Sequence, residues 1–242
     1  MRAKLLFIAT GIQSLQGGIA TSNLNVVYAL QDLAKEKAMQ FSVFSFMEED
    51  GDRPSFLSPE TIFRGFRGRK FDLAFALFSE ISAQPLFVFD HVALAMPLLA
   101  FSAIGLAKTV IFAHGSESWK RMRRGGRWSF QFAKFCLANS NYTLKKMQEA
   151  IPKFNGVACP LGLSPLFPLN EKKELQTQTP TLEFEAVDGK ERTLGKKVLL
   201  LVARMDSREG RKGHRPLIQV LPDLLVQFPD VQLVFAGPGD DH

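Results

Sequence analysis

Residues 198–241, VLLLVARMDSREGRKGHRPLIQVLPDLLVQFPDVQLVFAGPGDD, contain two apolar runs separated by a basic loop and a helical pattern. Val198 to Val202 is an unbroken apolar run of the kind found in a strand covered on both faces, and Val231 to Ala236 is a second such run. Between them, apolar residues recur at helical spacing: Leu217, Val220, Leu221, Leu224 and Leu225. The stretch therefore predicts a βαβ unit, and such units bind ligands beyond the carboxyl ends of their strands.

Two cations stand at that predicted carboxyl end. Arg204 closes the first strand, and Lys212 precedes Gly213 and the start of the helix. A planar guanidinium and a compact ammonium, together with the amides of a helix N-terminus, suit a diphosphate. Solvated loop cations are the alternative interpretation, because most Arg and Lys side chains are exposed.

The same segment resembles the opening of the nucleotide-sugar domain in glycosyltransferase family 4. The matching motifs are V-x-R at residues 202–204, K-G-H at residues 212–214 and P-D-V-x-L-V-F-x-G-x-G-D-D at residues 229–241. Members of that family are retaining enzymes of the GT-B fold that take a sugar from a nucleotide diphosphate. The resemblance implies that Arg204 and Lys212 hold the diphosphate of the donor, and that neither a metal nor an organic cofactor is needed.

The first 160 residues alternate predicted strands and helices, which favours a mainly parallel sheet with helices on both sides. Strands are predicted at Lys4 to Thr10, Phe41 to Phe46, Phe71 to Phe78, Thr109 to Ala113, Phe135 to Asn139 and Val157 to Cys159. Helical patterns cover Ile19 to Ala34, a start at Ser58-Pro59-Glu60, and Asn141 to Ala150 with Ser140 as its cap.

These patterns and the resemblance together predict an α/β protein of the GT-B type. Residues 1–165 are expected to form a complete, doubly wound Rossmann-like domain on the acceptor side. Residues 166–196 are expected to connect the domains and to carry a small hairpin around Asp188-Gly189. Residues 197–242 are expected to supply the first βαβ unit of a second Rossmann-like domain, which binds the nucleotide sugar.

The first predicted strand leads through Thr10-Gly11 to Gly17-Gly18 at the start of a helix. Glycine lets a backbone approach a ligand closely, and a helix N-terminus favours an anion. The pattern matches neither the Walker loop nor the GxGxxG motif. The resemblance implies that Gly17 and Gly18 lie near the donor phosphates and the acceptor, and a tight turn without a ligand is the alternative.

His114 follows the predicted strand at Thr109 to Ala113, again at a carboxyl end where sites gather. Family 4 enzymes often carry H-G or H-D after this strand. The resemblance therefore implies that His114 is a catalytic residue that hydrogen-bonds the transferring sugar or orients the acceptor. A structural role is the alternative for a lone histidine, and Glu117 needs no ligand because a carboxylate stabilises a helix start by itself.

Two further segments extend the resemblance. Residues 137–143 resemble the family's strand-then-Ser segment, and residues 160–167 resemble its P-N-G-V-D-x-x-x-F crossover, although Leu161 and Ser164 replace the Asn and Asp. The family's E-x7-E segment has no equivalent in these residues, so we expect little or no transferase activity from the 242-residue chain alone. Two alternatives stay open: a noncatalytic binding protein, and another GT-B enzyme such as a sugar-nucleotide epimerase or a phosphorylase-like enzyme.

The chain carries a net charge of +6, which calls for an anionic partner. A basic cluster is interleaved with aromatic residues: Lys120, Arg121, Arg123, Arg124 and Arg127 among Trp119, Trp128, Phe130 and Phe132. Two interpretations are equal alternatives. Trp119 to Phe132 make peripheral contact with an acidic membrane, or the segment is a solvated basic turn whose aromatic side chains lie in the core. Nucleic acid is disfavoured, because no zinc-finger, RRM or KH signature is present.

The expected localisation is cytoplasmic, with the inner face of the cell membrane as the place of any peripheral contact. No apolar run reaches membrane-spanning length and no secretory signal is recognisable. The implied reaction moves a hexosyl group from a nucleotide diphosphate sugar to a hydroxyl of a glycan or glycolipid acceptor with retained configuration. Such a reaction belongs to surface polysaccharide or glycolipid biosynthesis.

Overall fold

The computed structural model describes residues 3–14, 18–115, 122–162, 183–185, 189–195, 197–205, 207 and 212–240. The chain forms two compact units. Unit 1 is Met1–Pro168, and unit 2 is Leu169–His242.

Unit 1 is built on a seven-stranded sheet in which every neighbouring pair is parallel. The strands are β1 (Lys4–Ala9), β2 (Gln40–Ser45), β3 (Ile62–Gly65), β4 (Leu86–Phe89), β5 (Lys108–Ala113), β6 (Phe135–Ala138) and β7 (Gly156–Ala158). Their spatial order is β3-β2-β1-β4-β5-β6-β7. The chain moves outward from β1 in one direction and then crosses to β4 to continue in the other. This Rossmann-like order opens a crevice beyond the carboxyl ends of β1 and β4.

Helices pack on both faces of this sheet and complete its α/β architecture. They are α1 (Gly18–Glu36), α2 (Lys70–Glu80), α3 (Val92–Ala95), α4 (Leu99–Ala103), α5 (Arg124–Phe132) and α6 (Asn141–Ala150). On one face, α1 buries Val27 and Ala34 in a core shared with β1 and β2. On the other, α2, α5 and α6 bury Leu77, Phe130 and Met147. The predicted doubly wound arrangement is therefore present in unit 1.

Most of the predicted elements of unit 1 are confirmed. Five of the six predicted strands match β1, β2, β5, β6 and β7 to within about one residue, and the helix predicted over Ile19 to Ala34 is α1. The cap of α6 is also as predicted, since the Ser140 side chain accepts a hydrogen bond from the Thr143 backbone N–H. The side-chain oxygen satisfies one of the unpaired donors of the first helical turn.

The strand predicted at Phe71 to Phe78 is wrong, because this segment lies within α2. Leu73, Ala76 and Leu77 are the buried residues of the helix, at the spacing of one helical face. Dense aromatic residues with high strand propensity obscured this spacing in the sequence. The aromatic side chains of the segment lie on the exposed side of the helix.

The helix start predicted at Ser58-Pro59-Glu60 is also wrong, since the chain makes a single turn and then enters β3. The Thr61 backbone N–H donates to the Ser58 carbonyl at 2.9 Å. The guanidinium of Arg53 donates hydrogen bonds to the carbonyls of Ser58 and Thr61, at 2.7 Å each. A helix would use these two carbonyls as acceptors for its own backbone hydrogen bonds. Strands β3 and β4 were not predicted from the sequence, and each is only four residues long.

Unit 2 contains a hairpin and a βαβ unit, as predicted. The hairpin pairs β8 (Glu183–Glu185) with β9 (Glu191–Thr193) in antiparallel fashion, and Asp188 lies outside the described residues. The βαβ unit consists of β10 (Lys197–Val202), α7 (His214–Gln227) and β11 (Val231–Ala236), with β10 and β11 parallel.

One expectation for unit 2 is corrected: β10 is not covered on both faces. Leu200 and Val202 remain 61% and 73% exposed. In the described part of unit 2, β10 has a single neighbouring strand, so it lacks the layers that would bury both of its sides. Across the described residues of both units, no helix is long and apolar enough to cross a membrane.

Candidate functional site

The crevice of unit 1 is bordered by the loop after β1, which is anchored on one side by Asp90. This residue follows β4 directly. The Thr10 backbone N–H donates to its Oδ2 at 2.7 Å, and the Thr10 hydroxyl donates to Oδ1 at 3.1 Å. From α1, the Asn23 amide donates to the same Oδ2 at 2.7 Å and to the Gly11 carbonyl at 2.8 Å. Asp90 thus joins the loop, β4 and α1 at one point.

Burial dominates the acidity of Asp90, which is only 1% exposed. Desolvation raises the pKa of its carboxyl, and the hydrogen bonds from Thr10 and Asn23 offset only part of that increase. The carboxyl therefore loses its proton less readily here than in water.

A substitution of Asp90 by Asn tests this account. The Asn oxygen can accept from the Thr10 amide and Asn23, while its NH2 group donates to the Thr10 hydroxyl, so the contacts survive. The pKa of Asp90 is higher in the folded state than its ordinary value of 3.8, so the protonated carboxyl contributes to the stability of the fold. This contribution is fully present below pH 3.8 and is lost as the pH rises through the folded-state pKa. We expect Asp90→Asn to be more stable than wild type at pH 7, with a difference that vanishes near pH 3. Urea unfolding across this pH range measures it, and a variant less stable at pH 7 would contradict the burial argument.

The same loop is anchored on its other side by Glu48, three residues beyond β2. Its Oε1 accepts the backbone N–H groups of Ile12, Gln13 and Ser14 and the Ser14 hydroxyl, all at 2.8 Å. The Ser45 hydroxyl donates to Oε2. Burial alone would raise the pKa of Glu48, but these hydrogen bonds outweigh it and hold the pKa below its usual range. Consecutive N–H groups that converge on one point form an anion site, and here an internal carboxylate occupies it.

The two carboxylates form no ion pair with a Lys or Arg within the described parts of the chain. Their charges are met by hydrogen-bond donors. Neither Glu48 nor Asp90 was predicted from the sequence. Asp90 follows the apolar run LFVF at residues 86–89, which was a signal for a strand end at this edge, whereas Glu48 opens an acidic triplet that is typical of a solvated surface.

Among the predicted site residues of unit 1, two are described. Gly18 is the first residue of α1 and is exposed, and a Cβ built on it would meet no atom within 4 Å. His114 follows β5 and is half-buried, with its ring stacked on Phe112 at 5.9 Å between centroids. Its carbonyl accepts from the side-chain amide of Asn139, beyond β6. Gly17 lies outside the described residues.

In unit 2, the strands continue their pairing beyond the ends of β10 and β11. The Ala203 N–H donates to the Ala236 carbonyl at 3.0 Å, and the Met205 N–H donates to the Pro238 carbonyl at 2.8 Å. Arg204 lies between these two bonded residues, and it is exposed. Because the bonded neighbours fix its backbone, Arg204 stands at the carboxyl edge of the parallel pair.

Lys212 is exposed and lies two residues before α7. The end of this loop is held in place by His214. His214, the first residue of α7, is 3% exposed and contacts the Phe235 ring edge-on at 6.4 Å between centroids. In the sequence, His214 is recognisable only as part of the K-G-H motif, and no role was predicted for it. The geometry makes His214 an anchor that fixes the chain beside Lys212 against β11.

The described residues contain no group of three or more His, Cys, Asp or Glu side chains that could hold a metal ion. Cys136 is buried and Cys159 exposed, and both are free thiols. Burial raises the pKa of the Cys136 thiol to about 12, so it stays protonated and inert at neutral pH. No protein-family model matches the chain, and no curated protein matches its sequence.

Proposed function

We propose that this chain supplies donor-diphosphate and acceptor-side residues of a nucleotide-sugar-dependent glycosyltransferase of the GT-B type, which retains the configuration of the transferred sugar. The observation that carries the proposal is the position of Arg204 and Lys212 around the loop after β10, in a parallel βαβ unit. A ligand of such a unit meets the carboxyl end of the strands and the N-terminus of the helix. The family resemblance of residues 202–204, 212–214 and 229–241 supports a diphosphate as that ligand.

The proposed reaction breaks the bond between the anomeric carbon and the β-phosphate oxygen of the donor. The electron pair of that bond stays on the diphosphate, and a hydroxyl oxygen of a glycan or glycolipid forms the new bond to the anomeric carbon. The hydroxyl proton leaves with the nucleoside diphosphate. Arg204 and Lys212 would stabilise the charge that grows on the departing phosphate, which is where a preorganised cation has its greatest effect.

Unit 1 is proposed to bind the acceptor in the crevice beyond the carboxyl ends of β1 and β4. His114 is half-buried at the same edge of the sheet, after β5, and a neutral imidazole can both donate and accept hydrogen bonds. The open space around Gly18 supports a close approach of a ligand to the start of α1. Gly17 is proposed to contribute in the same way on the basis of the resemblance alone.

The proposal is tested by measuring the binding of UDP and GDP to the full chain with titration calorimetry. Arg204→Ala and Lys212→Ala should each weaken binding of the nucleoside diphosphate about 10- to 100-fold, because a hydrogen bond to a charged group contributes about 1.5–3 kcal/mol. Arg192→Ala, which removes an exposed cation of β9, is the matched control and should change the affinity less than twofold. The nucleosides uridine and guanosine lack the diphosphate. Each should therefore bind weakly, and with the same affinity, to wild type and to all three variants. Equal affinity of wild type and both variants for UDP and GDP would refute the diphosphate site.

A further inference from the structure

Helix α2 presents a row of phenylalanine side chains to the outside of unit 1. Phe71, Phe75 and Phe78 follow one another at helical spacing, and the first two are 79% and 69% exposed. They lie on the outer side of α2 because Leu73 and Leu77 occupy the side that faces the sheet. Single exposed apolar residues are common, but an exposed row of large ones marks a binding surface.

This row continues across the neighbouring helices to α5. The ring of Phe78 contacts the ring of Phe101 in α4 at 5.6 Å between centroids. Between α3 and α4, Met96 lies beside α5, where a Cβ built on Gly125 would be 3.5 Å from its methyl group. On α5, Trp128 and Phe132 are 51% and 42% exposed, whereas Phe130 is buried. We call these side chains of neighbouring helices the aromatic face and define it by Phe71, Phe75, Phe78, Phe101, Trp128 and Phe132, of which Phe101 is half-buried and the others are exposed.

Exposed cations border the aromatic face at both of its ends. Lys70 is exposed at the start of α2, and Arg123, Arg124 and Arg127 are exposed at the start of α5. Residues 92–107, which include α3 and α4, contain no charged residue, and α5 contains no acid. Helix α2 carries two acids, and each is paired with a cation: Asp72 with Arg69 at 2.9 Å and Glu80 with Lys4 at 3.7 Å. Trp119, Lys120 and Arg121, the other members of the basic cluster, lie outside the described residues.

We propose that the aromatic face binds the surface of an anionic lipid bilayer. Protruding phenylalanines can enter the acyl region, tryptophan favours the boundary between lipid and water, and arginines bind lipid phosphates. The central helices α3 and α4 carry no charge of either sign, and the exposed arginines of α5 lie in a helix without acids, so the charge of this face complements an anionic surface. The inference is independent of the proposed transferase function, because no residue of the aromatic face belongs to either candidate site.

Cosedimentation of the full chain with vesicles tests the inference. Wild type should bind vesicles that contain phosphatidylglycerol and should bind pure phosphatidylcholine vesicles at least about tenfold more weakly. Arg124→Gln/Arg127→Gln should bind the anionic vesicles about 30-fold more weakly than wild type, since each cation near an acidic surface contributes about fivefold. Phe71→Ser/Phe75→Ser should weaken binding by at least about tenfold through lost insertion.

Matched controls carry similar changes on other surfaces. Lys35→Gln/Lys37→Gln removes two cations from the end of α1, on the opposite face of the sheet, and Val226→Ser removes an exposed apolar side chain from α7. Both should bind like wild type within about twofold. Absence of binding to anionic vesicles, or equal binding by the aromatic-face variants and the controls, would overturn the proposal. It would also be overturned if sedimentation without lipid showed self-association that Phe71→Ser/Phe75→Ser abolishes, because the face would then be a protein interface.

Discussion

Glu48→Ala is expected to destabilise unit 1 by about 3–4 kcal/mol, because five N–H and O–H groups lose the carboxylate that accepts their hydrogen bonds. Each buried donor left without a partner costs about 1–3 kcal/mol, and water can recover only part of this for the exposed Gln13 and Ser14. Urea unfolding followed by far-UV circular dichroism measures the loss. A cost below about 1 kcal/mol would show that the loop does not depend on this carboxylate.

Glu48→Gln is the matched control for that experiment. It keeps an oxygen for the amides of the loop, while its NH2 group replaces the oxygen that accepts from Ser45 and can donate to that hydroxyl, so the substitution should cost about 1 kcal/mol at pH 7. The pH dependence should also differ. Because the folded-state pKa of Glu48 is lowered, its contribution is present above the ordinary value of 4.5 and is lost as the pH falls through the folded-state pKa. Wild type should therefore lose stability over that range, and Glu48→Gln should lack this component of the loss.

Gly239→Ala is expected to break the pairing beyond β10 and β11 and to destabilise unit 2 by about 3 kcal/mol or more. Gly239 has φ 156°, a region that residues with a Cβ rarely adopt, and a Cβ at this position would lie 1.7 Å from the Met205 carbonyl oxygen. Gly237 is in the same situation, with φ 151° and a distance of 2.0 Å to the Ala203 oxygen. The atoms in the way are backbone, so no side chain can move to relieve the contact.

Hydrogen exchange resolves this effect by region. In Gly239→Ala, amide protection should fall across β10 and β11 while the strands of unit 1 keep theirs, because the clash is confined to unit 2. Gly162→Ala is the control, since a Cβ there would meet nothing within 4 Å. Unchanged protection of Ala203 and Met205 in Gly239→Ala would mean that the backbone can shift without breaking these hydrogen bonds.

The sequence predicted the fold best where one physical signal acted alone. The run at Val231 to Ala236 coincides with β11, and the hydroxyl of Ser140 caps α6. The prediction failed at Phe71 to Phe78, where aromatic strand propensity competed with a helical spacing of only three buried residues. Covering layers are a tertiary property, so the exposure of β10 could not be read from its apolar run.

The candidate site was predictable only in its local parts. Arg204, Lys212, His114 and Gly18 follow or precede elements that a pattern can locate, so their places at strand and helix ends were accessible. The anchoring carboxylates were not, because Glu48 lies 36 residues from Ile12 in the chain and Asp90 lies 80 residues from Thr10. Contacts of that kind depend on strand order, which a single sequence does not encode in any local pattern.

The anchored loop also bears on the entropy cost of binding a ligand in the crevice of unit 1. Ordering a free segment costs roughly 1–2 kcal/mol of conformational entropy per residue, and a loop that closes over its ligand adds that cost to each binding event. Residues 10–14 are already ordered in the folded protein, because Glu48 and Asp90 accept hydrogen bonds from their backbone N–H groups. A ligand of the proposed site would therefore meet ordered residues on this side, and its binding would not carry the entropy cost of ordering them.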